Sequence, residues 1–210
     1  MRATADQLLL VFFAVLLCAS PDASAQTDES DPAYRRHTVG SSLFILANLV
    51  PQSNPPHFYQ LNYGYRLTPN DVVSVEAITW RYNAPLGIPY GSSSDSEDEA
   101  FPGHVGAYGV GVAYQRFIGK GIYSALHAAP MRQNFFDSAG DKMQGGFQLF
   151  LTLRVGYHLE LFANRFFLEP SIAATYWPIN TNLPESFQEK EDRQADYFLF
   201  EPGLHVGLKL

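Results

Sequence analysis

One stretch constrains the fold more than any other. From Phe147 to Leu161, apolar residues occupy every second position: Phe147, Leu149, Leu151, Leu153, Val155, Tyr157, Leu159 and Leu161. Between them lie Gln148, Phe150, Thr152, Arg154, Gly156, His158 and Glu160. A period of two separates the faces of a β-strand, whereas a helix would mix these two sets. Eight consecutive apolar positions on one face is long for a soluble strand, which typically has about 5–6 residues in all.

The same pattern recurs along the chain. Tyr59, Leu61, Tyr63, Tyr65 and Leu67 oppose Phe58, Gln60, Asn62, Gly64 and Arg66. Tyr108, Val110, Val112 and Tyr114 oppose Gly109, Gly111, Ala113 and Gln115. Phe166, Leu168, Pro170, Ile172, Ala174 and Tyr176 oppose Phe167, Glu169, Ser171, Ala173, Thr175 and Trp177. In the last segment, Phe198, Phe200, Pro202, Leu204, Val206, Leu208 and Leu210 oppose Leu199, Glu201, Gly203, His205, Gly207 and Lys209. Three further segments alternate less cleanly, with Glu76 and His127 on their polar sides. The spacing predicts eight strands, near 38–50, 56–68, 71–83, 105–118, 121–134, 145–161, 165–178 and 196–210, with no competing helical period.

The connections alternate too. Thr68 to Asp71, Gly119 to Gly121 and Ala163 to Arg165 have the composition of tight turns. Residues 51–57, 83–104, 135–144 and 179–195 are expected to form the longer links. In an up-and-down meander, alternate connections share an end. One end should therefore carry tight turns, the other long polar loops, and both termini of the sheet should lie at the tight-turn end. Pro170 and Pro202 each follow a glutamate in similar hexapeptides, FLEPSI and LFEPGL. Proline cannot donate to a ladder, so a bulge or break is expected at both.

Which face lies outside follows from what must be buried. Gln60, Asn62, Arg66, Glu76, Gln115, Arg154, His158, Glu160, Glu169, Glu201, His205 and Lys209 all fall on the polar side. Such a set cannot form the dry core of a soluble barrel without a heavy desolvation penalty. Turned inward in a narrow barrel whose outside meets lipid, acids and bases can pair instead. Charged residues make up 17% of the chain, against roughly 25% in an ordinary soluble domain. A lipid-facing surface that cannot carry charge explains the deficit. The net charge of −7 argues against a nucleic-acid partner.

Residues 1–25 read as a signal peptide. Arg2 precedes an apolar run from Leu8 to Ala19, and Ala23-Ser24-Ala25 supplies the small residues that signal peptidase reads. The single cysteine, Cys18, lies inside this segment, so the exported chain is expected to lack disulfides. Residues 26–37 read as a flexible leader and 38–210 as the barrel domain.

These residues resemble the small eight-stranded outer-membrane β-barrel proteins of Gram-negative bacteria. The resemblance covers the whole mature chain and includes the stretch YHLELFANRFFLEPSIAATYWP. The end of the chain is similar to the family's barrel-assembly signal at Glu201, Gly203, Val206 and Leu208, although it finishes on Leu210 where family members often finish on Phe. The resemblance implies an all-β, eight-stranded antiparallel up-and-down transmembrane barrel in the outer membrane. It implies contact with outer-membrane lipids, with lipopolysaccharide and with the barrel-assembly machinery.

The chemistry points away from catalysis. His127 follows Ser124 by three residues, which in a strand puts them on opposite faces. No serine adjoins the inward pair His158 and Glu160. No catalytic residue, metal ligand set or cofactor is expected. The acidic run Asp95, Glu97, Asp98 and Glu99 lacks the spacing of a calcium loop and reads as a solvated face. The inward residues Arg66, Glu76, Arg154, His158, Glu160, Glu169, Glu201, His205 and Lys209 are expected to form a polar network that plugs the lumen. The resulting expectation is a structural or adhesive barrel acting through its outer loops. A narrow path for small hydrophobic molecules or ions, a lipid-modifying enzyme, and a soluble lipocalin-like barrel are the alternatives.

Overall fold

The computed structural model describes residues 35–51, 55–85 and 100–210. The signal segment, most of the leader and the acidic run at 95–99 lie outside the described residues. The strands are β1 (His37–Ser42), β2 (Tyr59–Arg66), β3 (Asp71–Tyr82), β4 (Gly103–Gly119), β5 (Ile122–Asp137), β6 (Lys142–Tyr157), β7 (Leu159–Leu161), β8 (Phe166–Thr181) and β9 (Tyr197–Lys209). β7 continues β6 beyond His158, so the two count as one wall strand. Each strand pairs antiparallel with its sequence neighbour; β6 also pairs with β8, and β9 returns to β1. The result is a closed, up-and-down barrel of eight strands, with no free sheet edge along the ladder that carries these pairs.

The alternation places the side chains. Val75, Val110, Val112, Val155 and Ile172 are about half exposed on the outside. Arg66, Glu76, Arg154, His158 and Lys209 are buried inside. Asp71 and Arg116 pair on the outer surface at 2.9 Å beside the tight-turn end. Arg81 and Arg132 lie on the outer face toward the other end, where Arg81 pairs with Gly106 and Arg132 with Tyr108. Between these limits the outward positions of the strands carry no charge.

Besides register shifts at Phe117–Gly119, Phe135–Phe136 and Leu149–Leu151, four local features depart from the expected pattern. First, β1 stops at Ser42, and Leu43–Leu49 forms a 3-10 helix rather than the expected continuation of the strand. The Ser42 hydroxyl accepts a bond from the Phe44 amide at 3.2 Å, which caps the turn. Second, residues 138–141 form a tight connection between β5 and β6, where a longer loop was expected. Asp137 closes it by accepting bonds from the amides of Ala139 and Asp141, both at 2.9 Å. Third, the expected polar loop 179–195 contains a short helix, α1 (Glu185–Glu191), with Phe187 fully buried. One apolar anchor in seven residues is too little to show a helical period.

Fourth, the ladder between β8 and β9 shifts register between Ala173 and Ala174, so that Phe200 is extruded. Phe200 has φ 63° and is 78% exposed. This bulge lies two residues before Pro202, whereas Pro170 pairs with Leu204 without a shift, so the expected break at Pro170 is absent. A bulge adds one residue and inverts the faces beyond it. Leu199 therefore pairs with outward Ala174, and Phe198 pairs with inward Thr175. Phe198, on the apolar side in the sequence, thus borders the lumen, and Phe117 on β4 is buried at 3% exposure.

The 3-10 helix packs against β9 and is hydrogen-bonded to the residue before β2. Asn48 donates from Nδ2 to the Phe58 carbonyl at 2.7 Å and accepts from the Phe58 amide at 2.9 Å. It thus replaces a ladder partner at the edge of β2. Asn48→Ala should lower stability by about 1–3 kcal/mol, because buried backbone groups lose their partners. The shift is read from the urea midpoint of the folded protein in lipid vesicles.

Candidate functional site

The lumen is the only place where the strands bring charged side chains together away from solvent, among the described residues. It divides along its axis. At the tight-turn end, His158 sits between the rings of Phe117 and Phe167, each 5.3 Å away between centroids. Its Nδ1 is hydrogen-bonded to Glu169 Oε1 at 2.7 Å. Gln115 donates from Nε2 to the same oxygen at 2.9 Å. Lys209 is ion-paired and hydrogen-bonded to Glu160, which also lies 3.7 Å from His158 Nε2. Arg66 lies over the Phe117 ring at 5.0 Å and donates to the Pro69 carbonyl at 3.0 Å. These groups leave a void of only about 70 Å³.

Towards the middle, Glu76 is hydrogen-bonded to His127 Nδ1 at 3.1 Å. Thr175 donates to Glu201 at 2.7 Å. Arg154 donates from Nη1 to the Ser171 hydroxyl at 2.9 Å. Gly203 leaves the space that this guanidinium occupies, since a Cβ there would lie 2.1 Å from Nη1. The buried nitrogens Arg154 Nε, His127 Nε2 and Trp177 Nε1 have no hydrogen-bond partner.

Above them opens a larger cavity of about 420 Å³. Its walls are mainly Phe58, Ile78, Trp80, Met131, Phe150, Trp177 and Phe198, and Glu76, His127, Arg154, Glu201 and His205 also border it. Its aromatic wall is interlocked: Phe150 meets Trp177 edge-on at 4.9 Å, and Trp80 lies 6.2 Å from Phe150. Nearer the loops, Gln133 donates to the Tyr82 oxygen at 2.8 Å and to Gln148 at 3.2 Å. Beyond this buried group, Phe187 of α1 stacks on Phe101 at 4.6 Å and meets Phe135 edge-on at 5.5 Å. The helix therefore seals part of the loop-end mouth.

The sequence places all nine polar candidates inside the barrel, but only some of their partners, such as Glu160 for Lys209, are those that charge alone suggests. Arg154 binds a hydroxyl, and Glu76 meets His127. Gln115, His127 and Ser171 complete the network and were not among the nine. Of the four residues matched to the assembly signal, Glu201 and Gly203 face inward, opposite Ala173 and Ser171. Val206 and Leu208 face outward, opposite Leu168 and Phe166. Ser124 lies in register with outward Val155, while His127 lies inside. The wall thus separates that nucleophile and base. Among the described residues, no group of three or more His, Cys, Asp or Glu could hold a metal ion.

No family model matches the chain, and no curated protein does. One similar solved structure is that of Ail, the attachment invasion locus protein of Yersinia pestis, in complex with the heparin analogue sucrose octasulfate. It is 13% identical with a TM-score of 0.40, over 83% of this chain and 94% of that one. The fold assignment rests on the strand pairing of this chain itself.

Proposed function

We propose that this protein is an integral outer-membrane barrel of a Gram-negative bacterium, non-enzymatic, with a structural or adhesive role carried by its loop end and a lumen closed to ions. The observation that carries this reading is the uncharged outer band around a charged interior. On β3 the band runs from Asp71 to Arg81. At ~3.3 Å per residue and a tilt of about 40°, that interval rises about 25 Å, the height of the apolar band of an outer-membrane barrel. Phe162 and Phe166 meet edge-on at 5.4 Å near one limit, and Tyr59 and Tyr108 are about half exposed near the other. Aromatics at both limits suit the two membrane interfaces. Export by a signal peptide, lipid and lipopolysaccharide as neighbours, and assembly through the C-terminal strand belong to the same reading.

The plug at the tight-turn end supports the closed lumen. Fractionation and gel mobility test the membrane placement. The protein should require detergent for extraction and should migrate faster unheated than boiled. Recovery in the aqueous fraction would mean a soluble barrel. In planar bilayers the folded protein should give no steady channels; steady conductance would mean an ion path instead. Release of fatty acid from lipopolysaccharide, lost on changing His127, would mean an enzyme.

A further inference from the structure

We propose that the 420 Å³ cavity is a binding site for one acyl chain with a small hydrogen-bond-accepting head, entered sideways from the bilayer through a seam between β1 and β9. This rests on the membrane reading above and goes beyond a structural role.

The seam follows from the pairing. The β1–β9 ladder ends at Ser42 and His205, where the chain turns into the 3-10 helix. Pro202 has no amide hydrogen with which to extend the ladder. Asn48 hydrogen-bonds the helix to Phe58, just before β2, while against β9 the helix makes packing contacts. Pro202 and Leu204 belong to the outward face of β9, yet both border the cavity, as do Leu43 and Phe44 of the helix. The cavity therefore abuts the wall at the point where this ladder ends.

The surroundings of this point are apolar. Leu46, Leu49 and Val50 on the helix side are 52%, 77% and 55% exposed, and Phe200 on the strand side is 78% exposed. These are among the most exposed apolar residues described, and they suit hydrocarbon rather than water. Phe187 and its neighbours obstruct the loop end, and the His158–Glu169 cluster obstructs the other. The seam is the route that faces hydrocarbon, whereas α1 closes part of the loop end.

The lining specifies the occupant. Its aromatic walls favour a hydrocarbon chain. At ~30 Å³ per water-sized unit, the volume accommodates about a dozen such units, within the ~300–1,000 Å³ typical of ligand pockets. A purely apolar ligand would leave Arg154 Nε and His127 Nε2 buried without partners. Arg154 is 8% exposed. Arg154 Nε, which always carries a hydrogen, suits an oxygen acceptor, such as the carboxyl of a free fatty acid or the ester of a lipid, whereas His127 already gives its Nδ1 hydrogen to Glu76. The two sources share the chemistry and differ in whether a free ligand must be added.

The chain supplies its own probe, because both of its tryptophans, Trp80 and Trp177, border the cavity. The folded protein in phosphatidylcholine vesicles is titrated with chain-brominated dodecanoic acid, and separately reconstituted in vesicles of chain-brominated phosphatidylcholine. Saturable quenching by the acid identifies a fatty-acid site; strong quenching by the lipid alone identifies a lipid tail. Ala129→Phe, which fills the cavity from β5, should reduce either signal at least fivefold while the protein keeps its heat-modifiable mobility. Leu204→Phe should slow the onset of quenching severalfold in stopped flow. Folded, heat-modifiable protein that neither agent quenches, or that is quenched equally after Ala129→Phe, would overturn the site. An unchanged rate in Leu204→Phe would overturn lateral entry. Loss of heat-modifiable mobility in the unaltered protein would instead overturn the membrane reading.

Discussion

Val112→Arg is expected to prevent stable insertion of the barrel. Val112 is 59% exposed, and its ladder partners Val75 and Ala128 leave no acid beside it on the outer face. Arg116 lies four residues towards one limit of the band, too far to share its Asp71 partner with a new guanidinium. An arginine near the bilayer midplane costs a membrane barrel about 2–4 kcal/mol. That is a large share of a folded domain's net stability of about 5–15 kcal/mol. The fraction reaching the heat-modifiable form in vesicles should fall steeply, whereas Val112→Leu should behave as the unaltered protein does. Leu151, paired with Ala128 on the same face, should respond to arginine in the same direction. Normal insertion of both arginine variants would show that this face does not meet hydrocarbon.

The faces that make this prediction possible are written in the sequence, because period two survives wherever the ladder is regular. From Phe147 to Leu161 and from Tyr108 to Tyr114, the apolar positions lie outside. What interrupts the period is not legible. The bulge at Phe200 depends on how β9 meets β8, and it turns Phe198 from lipid to lumen. The 3-10 helix is as apolar as the strand it replaces, and only the Ser42 cap and the Asn48 clamp mark it. The polar network shows the same division. Alternation tells which charges face inward. The stagger of a closed barrel decides which of them meet, so Glu76 finds His127, fifty-one residues away. The cavity arises in the same way: Trp80, Phe150 and Trp177 come from three strands and Phe58 from the segment before β2, and they converge only once the ring closes.

The second large effect concerns the plug. Glu169→Met should destabilise the folded barrel by about 3–5 kcal/mol, the usual consequence of removing one partner from a buried charged cluster. Glu169 holds both His158 and Gln115, so its loss strands two polar side chains at once. His158 is itself enclosed by Phe117 and Phe167 and has no route to bulk water through those rings. His158→Phe on the Glu169→Met background should recover most of the stability, because an apolar pair of similar volume removes the stranded polar side chain. Urea unfolding in vesicles measures both changes. The single and double variants also separate a dry plug from a wet path. In a hydrated lumen, water would replace the Glu169 carboxylate, the single change would be nearly neutral, and the double variant would gain little. A neutral Glu169→Met would therefore overturn the closed lumen, and large destabilisation recovered by His158→Phe would support it.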